Sequence, residues 1–182
     1  KIRLSKALDL AASCSSDNAV ILVDAIYDEM LAKLVAKGGK VVTADERQKL
    51  QDVIWKDGHI NSAIVAQTAQ KIAEIAGFSV ADEVQFFIVP ETGYGPDYPF
   101  SGEKMSVTMA LYRAKDIDEA IALTNNIQAY QGQGHSCGIY SQSDENIMKL
   151  AMHTKTSRVM VNQPQSASNS GNLWNGMRQT FS

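Results

Sequence analysis

Hydrophobic positions in this chain form two kinds of segment that alternate along its length. Apolar residues three or four positions apart, such as Leu4, Leu8 and Ala11, are typical of amphipathic helices. Short continuous apolar runs are typical of strands. The pattern predicts helices over residues 3–12, 25–36, 44–55, 61–76, 116–125 and 144–153, and strands over residues 19–23, 41–42, 84–89, 106–112, 138–140 and 158–162.

This alternation indicates the fold class. The run at residues 19–23, Ala-Val-Ile-Leu-Val, lacks polar positions, as expected for a strand buried on both faces. Strands that alternate with helices form parallel sheets covered by helices. We therefore predict an α/β protein with three αβα layers and a mostly parallel sheet. Reactive groups in such sheets usually gather at the carboxyl ends of the strands, which draws attention to the loops at residues 90–102 and 162–175.

Composition narrows the classes of partner. The chain has 182 residues, 45% hydrophobic and 20% charged, which suits one globular domain with a sizeable core. Its net charge is −3 and no basic run is interleaved with aromatic residues, so we expect no nucleic acid partner. No apolar stretch approaches the roughly 20 residues that span a bilayer, so no membrane partner is expected. The three histidines are widely spaced, so we expect no metal site.

Cys14 is the first candidate for chemistry. It lies among small polar residues, between a helical segment and the strand at residues 19–23. A thiol at such a junction can reach a cleft and have backbone N–H groups nearby to stabilise negative charge, as a nucleophile for a carbonyl requires. The alternative is an inert cysteine in the core. Cys137 precedes Ile139 and Tyr140 and is expected in a buried strand; two such distant cysteines fit a reducing cytoplasm.

Four segments, in their order along the chain, resemble the catalytic domain of the aldehyde dehydrogenase superfamily. Residues 14–24 resemble the nucleophile strand, and residues 103–110 resemble the segment whose glutamate holds the nicotinamide ribose. Residues 132–136, Gly-Gln-Gly-His-Ser, resemble a motif of the coenzyme A-acylating branch, and residues 158–163 resemble the final core strand. Within that branch, residues 14–16 and 98–104 are most similar to sulfoacetaldehyde dehydrogenases.

The resemblance implies a domain organisation. Residues 1–182 correspond to the nucleophile-bearing catalytic domain, and family members carry a dinucleotide-binding domain before it. No G-x-G-x-x-G run follows a predicted strand here. We therefore expect the chain to be a fragment that is inactive by itself, and the full-length enzyme to be a homo-oligomer, as family members usually are.

The resemblance also implies a reaction. Cys14 attacks an aldehyde as a thiolate, hydride passes to NAD or NADP, and the resulting thioester is resolved by coenzyme A. Water resolves it in hydrolytic relatives, whose general-base glutamate lies upstream of the present residues. The choice between coenzyme A and water stays open at this point, as does the choice between NAD and NADP.

Three further residues receive roles from the resemblance. Glu103 accepts hydrogen bonds from the ribose hydroxyls of the cofactor, and Met105 takes a cofactor-side position where many relatives have an aromatic residue, although packing suits it better. His135 assists deprotonation of coenzyme A or binds its phosphates. The alternatives are a solvated carboxylate for Glu103 and a structural histidine for His135. We expect His59 and His153 at the surface.

The last strand and its loop are expected to line the aldehyde pocket. The residues implied are Asn162, Gln163, Asn172, Trp174 and Arg178. The Arg178 guanidinium matches the oxygens of a sulfonate or carboxylate, which suits a short anionic aldehyde such as sulfoacetaldehyde. The alternatives are a surface arginine and a tryptophan that only packs.

Three functions therefore compete. The first is a coenzyme A-acylating, NAD(P)-dependent aldehyde dehydrogenase, and the second is a hydrolytic enzyme on the same scaffold. The third is a non-catalytic α/β binding or assembly module in which Cys14 is inert.

Overall fold

The computed structural model describes residues 1–169, 171 and 175–177. Its helices are Ile2–Ala7 (α1), Tyr27–Val35 (α2), Ala44–Ile54 (α3), Ala69–Ala76 (α4), Ile117–Tyr130 (α5), Asp144–His153 (α6) and Gln165–Asn169 (α7). Its strands are Ala19–Val23 (β1), Gly39–Val41 (β2), Trp55–Lys56 (β3), His59–Ile60 (β4), Phe86–Pro90 (β5), Thr108–Ala114 (β6), Gly134–Ile139 (β7) and Thr156–Val161 (β8).

The main sheet has four parallel strands in the order β1-β6-β5-β2. β7 and β8 form a separate parallel pair, and β3 and β4 form a short antiparallel hairpin. The prediction of an α/β fold with a mostly parallel sheet is therefore confirmed. Every helix in the described part of the chain is too short or too polar to cross a bilayer.

The core lies around the two central strands of the main sheet. Phe86, Phe87, Ile88 and Val89 of β5 are fully buried, since parallel strands are covered on both faces. β1 is less enclosed, because its residues alternate between buried and half-buried at the edge of the sheet. A smaller cluster under α5 and α6 is formed by Ile121, Ile139 and Leu150.

Two predicted helices are shorter than expected. The first ends at Ala7, because Asp9, Leu10 and Ala11 have positive φ angles that a right-handed helix does not accept. The helix predicted over residues 61–76 begins only at Ala69, where the Thr68 side chain accepts a hydrogen bond from a backbone N–H. Backbone geometry that periodicity does not reveal sets both boundaries.

Three short elements, the strands β3 and β4 and the helix α7, are absent from the prediction. β3 and β4 contain two residues each, too few for periodicity to register, and they are joined by a turn at Asp57 and Gly58. The polar tail after β8, expected to be a loop, includes the short helix α7. Its residues Gln165 to Asn169 are buried except Ala167, so packing rather than an apolar stripe stabilises it.

The start of α3 is fixed by a reciprocal cap. Glu46 N donates to Thr43 Oγ1 at 3.2 Å, and Thr43 N donates to Glu46 Oε2 at 2.8 Å. This satisfies two of the N–H groups that a helix start leaves without partners.

We expect Thr43→Ala to lower the free energy of unfolding by about 1 kcal/mol, because it removes the acceptor for the Glu46 N–H. Urea titration measures the change. Thr43→Ser keeps the hydroxyl and is the matched control; equal losses in both variants would show that the methyl group, not the cap, matters.

Candidate active site

A cavity of about 960 Å³ lies against β1, α5 and β7. Cys14, Glu103 and His135 all line it. These residues are far apart in sequence and precede or begin the strands β1, β6 and β7 respectively. All three therefore lie toward the amino ends of these strands, as their positions before the predicted strands indicate, and not at the carboxyl ends, where reactive groups of parallel sheets usually gather.

The thiol of Cys14 is carried by a turn that is tightly bonded beneath it. Cys14 is exposed, whereas the next two residues, Ser15 and Ser16, are buried. The hydroxyls of Ser13 and Ser15 lie 2.8 Å apart, and Ser15 Oγ donates to Ser166 O at 3.4 Å. These hydrogen bonds hold the turn that places Cys14 in the cavity wall.

A buried lysine lies under this turn. Lys6 has no exposed surface, and its Nζ lies 3.5 Å from Ser16 Oγ. Burial lowers the pKa of Lys6 to about 8, against the opposing attraction of Asp17 and Glu103. Burial also raises the pKa of Asp17, whose Oδ2 has no hydrogen-bond partner among the described residues. Burial thus shifts both the ammonium of Lys6 and the carboxyl of Asp17 toward their neutral forms.

Glu103 is held by the backbone that follows it. Its Oε1 accepts hydrogen bonds from Lys104 N at 2.9 Å and Met105 N at 3.0 Å. Its own N–H donates to Gln131 Oε1 at 2.8 Å. No described residue donates a hydrogen bond to Oε2, so this oxygen is available to a ligand in the cavity. Met105 is half-buried and has a φ angle of 42°, which the tight turn requires.

The same turn contains a second buried lysine. Lys104 Nζ donates to the carbonyls of Phe100 at 2.7 Å and Gly102 at 2.6 Å. Burial holds the pKa of Lys104 well below its ordinary value, and the nearby Lys6 lowers it further. Its side chain closes the loop before Glu103 into a compact unit.

Asn18 joins the two turns. Its Oδ1 accepts a hydrogen bond from Lys104 N at 3.2 Å, and its Nδ2 donates to Ser16 O at 3.4 Å. Its backbone oxygen accepts from Ala110 N at 3.0 Å. One side chain thus ties the Cys14 turn to the Glu103 turn at the edge of the sheet.

The loop at residues 91–102 is anchored at its base. Glu91 is buried and pairs with Arg47 at 2.9 Å. Tyr112 Oη donates to Gly93 O at 2.9 Å, and burial raises the pKa of this phenol. These bonds keep the loop that leads to Glu103 in one conformation.

His135 lies at the start of β7. Its Nδ1 is 2.9 Å from Ser136 Oγ, and its Nε2 is enclosed with no hydrogen-bond partner among the described residues. His59 and His153 are exposed, as expected from their sequence context.

Of the residues predicted to line the aldehyde pocket, only some lie in the described part of the chain, and these differ in whether they line the cavity. Asn162 follows β8, and its amide bonds both backbone groups of Ser141, with Oδ1 accepting at 3.1 Å and Nδ2 donating at 2.8 Å. Gln163 lines the cavity, and Asn162 is not among the lining residues. The remaining predicted positions, Asn172, Trp174 and Arg178, lie outside the described residues.

Sequence reasoning missed the polar residues that support the site. Lys6 and Lys104 carry no sequence signal of burial, because lysine in a short amphipathic segment is normally solvated. Gln165 also escaped notice, and so did its hydrogen bond to Ser136 of the motif at residues 132–136, since only the packing of α7 against β7 brings the two residues together. Within the described part of the chain, no cluster of three or more histidine, cysteine or acidic side chains is arranged to hold a metal ion.

Comparison with known proteins decides the family. The sequence model of the aldehyde dehydrogenase family matches residues 92–182. The chain belongs to the aldehyde dehydrogenase family. It is 40% identical over 179 residues to the sulfoacetaldehyde dehydrogenase (acylating) of Cupriavidus necator, covering 97% of this chain and 36% of that protein.

Two further members of the family agree with this assignment. The bifunctional aldehyde-alcohol dehydrogenase of Escherichia coli K12 is 36% identical over 177 residues, which cover 96% of this chain and 20% of that protein. The crystal structure of an acetylating aldehyde dehydrogenase from Geobacillus thermoglucosidasius superimposes with a TM-score of 0.92 at 30% identity, covering 96% of this chain and 38% of that one. The chain thus spans 20% to 38% of the length of these relatives.

The buried Lys6 gives stability a pH dependence with a defined sign. Its pKa is about 8 in the folded chain, against 10.5 ordinarily, so between these values the unfolded chain binds a proton that the folded chain does not. The free energy of unfolding therefore rises with pH through this window. We expect the free energy of unfolding of the wild type, measured relative to that of Lys6→Met, to rise by about 2 kcal/mol between about pH 7 and about pH 9.5.

Urea titrations at several pH values measure this difference. Lys33→Met is the matched control, because Lys33 is exposed and pairs with Glu29 on the surface. If the free energies of unfolding of wild type and Lys6→Met differ by the same amount at every pH, burial does not lower the pKa of Lys6.

Proposed function

We propose that this chain is the nucleophile-bearing part of a coenzyme A-acylating, NAD(P)-dependent aldehyde dehydrogenase. The observation that supports it most is the convergence of Cys14, Glu103 and His135 on one cavity. An exposed thiol, a carboxylate with an available oxygen and a histidine are the groups that this chemistry needs at one place.

Cys14 performs the covalent chemistry. Its thiolate adds to the aldehyde carbon, and the carbonyl π electrons move to the oxygen to form a thiohemiacetal. Loss of hydride from the former aldehyde carbon leaves a thioester on Cys14, an oxidation by two electrons. The thiol of coenzyme A loses its proton to solvent, and the resulting thiolate adds to the thioester carbon. The C–S bond to Cys14 then breaks, so the Cys14 thiolate leaves and acyl-coenzyme A is released.

Glu103 fits the role of a dinucleotide ligand. With Oε1 fixed by two backbone N–H groups, Oε2 accepts hydrogen bonds from vicinal hydroxyls such as those of a ribose. A nicotinamide cofactor, when bound, accepts the hydride. The chain's own contribution is to hold this carboxylate in the cavity that Cys14 also lines.

The cavity favours anionic ligands. Its lining includes five cationic residues, Lys1, Arg3, Lys33, Lys37 and Lys115, and three acidic residues, Asp17, Glu103 and Asp116. An excess of positive charge raises the local concentration of anions, which suits coenzyme A and a short anionic aldehyde. The similarity to the Cupriavidus necator protein supports sulfoacetaldehyde as the first substrate to test.

The role of Cys14 is tested with the chain's second thiol as control. Cys137 is half-buried, lies 3.8 Å and 3.7 Å from the hydroxyls of Thr154 and Thr156, and has a pKa raised by burial. In the full-length enzyme we expect Cys14→Ser to abolish NAD(P)H formation from sulfoacetaldehyde, whereas Cys137→Ser retains it. In iodoacetamide alkylation, Cys14 reacts first. Equal activity of wild type and Cys14→Ser excludes the proposal.

Product analysis separates the acylating from the hydrolytic reaction. We expect acyl-coenzyme A as the main product when coenzyme A is present, and little turnover without it. A free acid formed at the same rate without coenzyme A would assign the hydrolytic reaction instead.

We expect residues 1–182 alone to produce neither acyl-coenzyme A nor free acid, because the proposal places the dinucleotide-binding domain elsewhere in the protein.

A further inference from the structure

A continuous hydrogen-bonded chain leads from α7 to His135. Gln165 Nε2 donates to Ser136 Oγ at 2.7 Å, and Ser136 Oγ lies 2.9 Å from His135 Nδ1. All three residues line the cavity that contains Cys14. Gln165 is only 8% exposed, and its Oε1 has no hydrogen-bond partner among the described residues.

The position of Gln165 is fixed from two sides. The next residue, Ser166, bonds Ser5 of α1 through its backbone N–H at 2.8 Å and through its hydroxyl, which donates to Ser5 O at 2.7 Å. On the opposite side, a Cβ at Gly138 would lie 2.8 Å from Gln165 Oε1. The missing side chain at this strand position leaves the space that the glutamine fills.

This arrangement favours one position for the proton of the neutral imidazole. A serine hydroxyl has one proton to donate. Ser136 Oγ accepts from Gln165 Nε2, and its other hydrogen-bonding contact in the described structure is His135 Nδ1. The hydroxyl could also accept a second hydrogen bond, from Nδ1–H, but its own proton would then have no acceptor among the described residues. Donation of this proton to an unprotonated Nδ1 is therefore the favoured arrangement. The ring proton then resides on Nε2.

We propose that Gln165 is a positioning residue that holds neutral His135, through Ser136, as a hydrogen-bond donor at Nε2. A nitrogen that carries a proton does not accept the proton of a thiol. The identity of the ligand rests on the function proposed above. In that function, His135 donates a hydrogen bond to an oxygen of the anionic coenzyme A or of its thioester. It does not act as the base that deprotonates the coenzyme A thiol.

Gln165→Glu reverses the direction of the hydrogen bonds that link residue 165, Ser136 and His135. A carboxylate only accepts hydrogen bonds, so Ser136 donates to it and in turn accepts from His135 Nδ1–H. The ring proton then moves from Nε2 to Nδ1. The measurement is the pair of ¹⁵N imidazole chemical shifts of His135 at about pH 9, where an ordinary imidazole is neutral. Spectra of His59→Gln and His153→Gln assign the signals.

We expect the wild type to favour the Nε2–H form about tenfold, the size of one net hydrogen bond, and Gln165→Glu to favour the Nδ1–H form. Gln165→Met keeps the volume without either polar group and gives a mixture of the two forms. If Gln165→Glu fails to fold, the shift from wild type to Gln165→Met carries the test. Ser136→Ala is the matched control, since in its background Gln165→Glu no longer changes the ratio.

Two outcomes overturn the inference. One is an Nδ1–H form in the wild type, and the other is the same ratio of forms in wild type, Gln165→Glu and Gln165→Met. Because the spectra require no turnover, either result leaves the proposed dehydrogenase reaction intact. In the full-length enzyme, Gln165→Met should raise the KM for coenzyme A more than it lowers the rate of thioester formation; the reverse pattern assigns a merely structural role.

Discussion

Parallel pairing of β1 with β6 is the constraint that assembles this site. The two strands align Ala19 with Ala110, so the segments that precede them emerge at the same edge of the sheet. Cys14 lies on one of these segments and Glu103 on the other. Asn18 then bonds both turns, through Lys104 N and Ser16 O. Because strand direction fixes which ends meet, two residues 89 positions apart by number line a common cavity.

The site contains buried charged side chains, whose removal from water costs free energy. Lys6 and Lys104 are fully enclosed, and the removal of an ammonium from water disfavours its charged form, as the lowered pKa values of both show. Backbone carbonyls compensate Lys104 through two short hydrogen bonds. Asp17 and Glu103 attract Lys6. Such a network adds little net stability, but it allows few alternative arrangements of the two turns above it.

The support of His135 depends on different contacts. β7 begins at Gly134, and its pairing with β8 presents Ser136 to the helix that follows β8. Gly138 on the same strand leaves space for Gln165. The histidine, the hydroxyl and the amide therefore come from a strand and a short helix whose sequence looks like a polar loop. Its buried hydrogen bonds to Ser5, rather than helix propensity, hold that helix in place.

The sequence by itself determined the alternation of strands and helices, the parallel sheet and the candidacy of Cys14, Glu103 and His135, because these depend on local periodicity and on motifs. It did not determine the end of α1 at Ala7, the late start of α4 or the presence of α7, because positive φ angles and buried polar contacts leave no periodic trace. Only the tertiary structure decided that Cys14, Glu103 and His135 line one cavity, that Lys6 and Lys104 are buried and that Gln165 bonds Ser136, the neighbour of His135. The physical reason is that desolvation and hydrogen bonding between distant segments depend on which surfaces meet, and no local pattern encodes that.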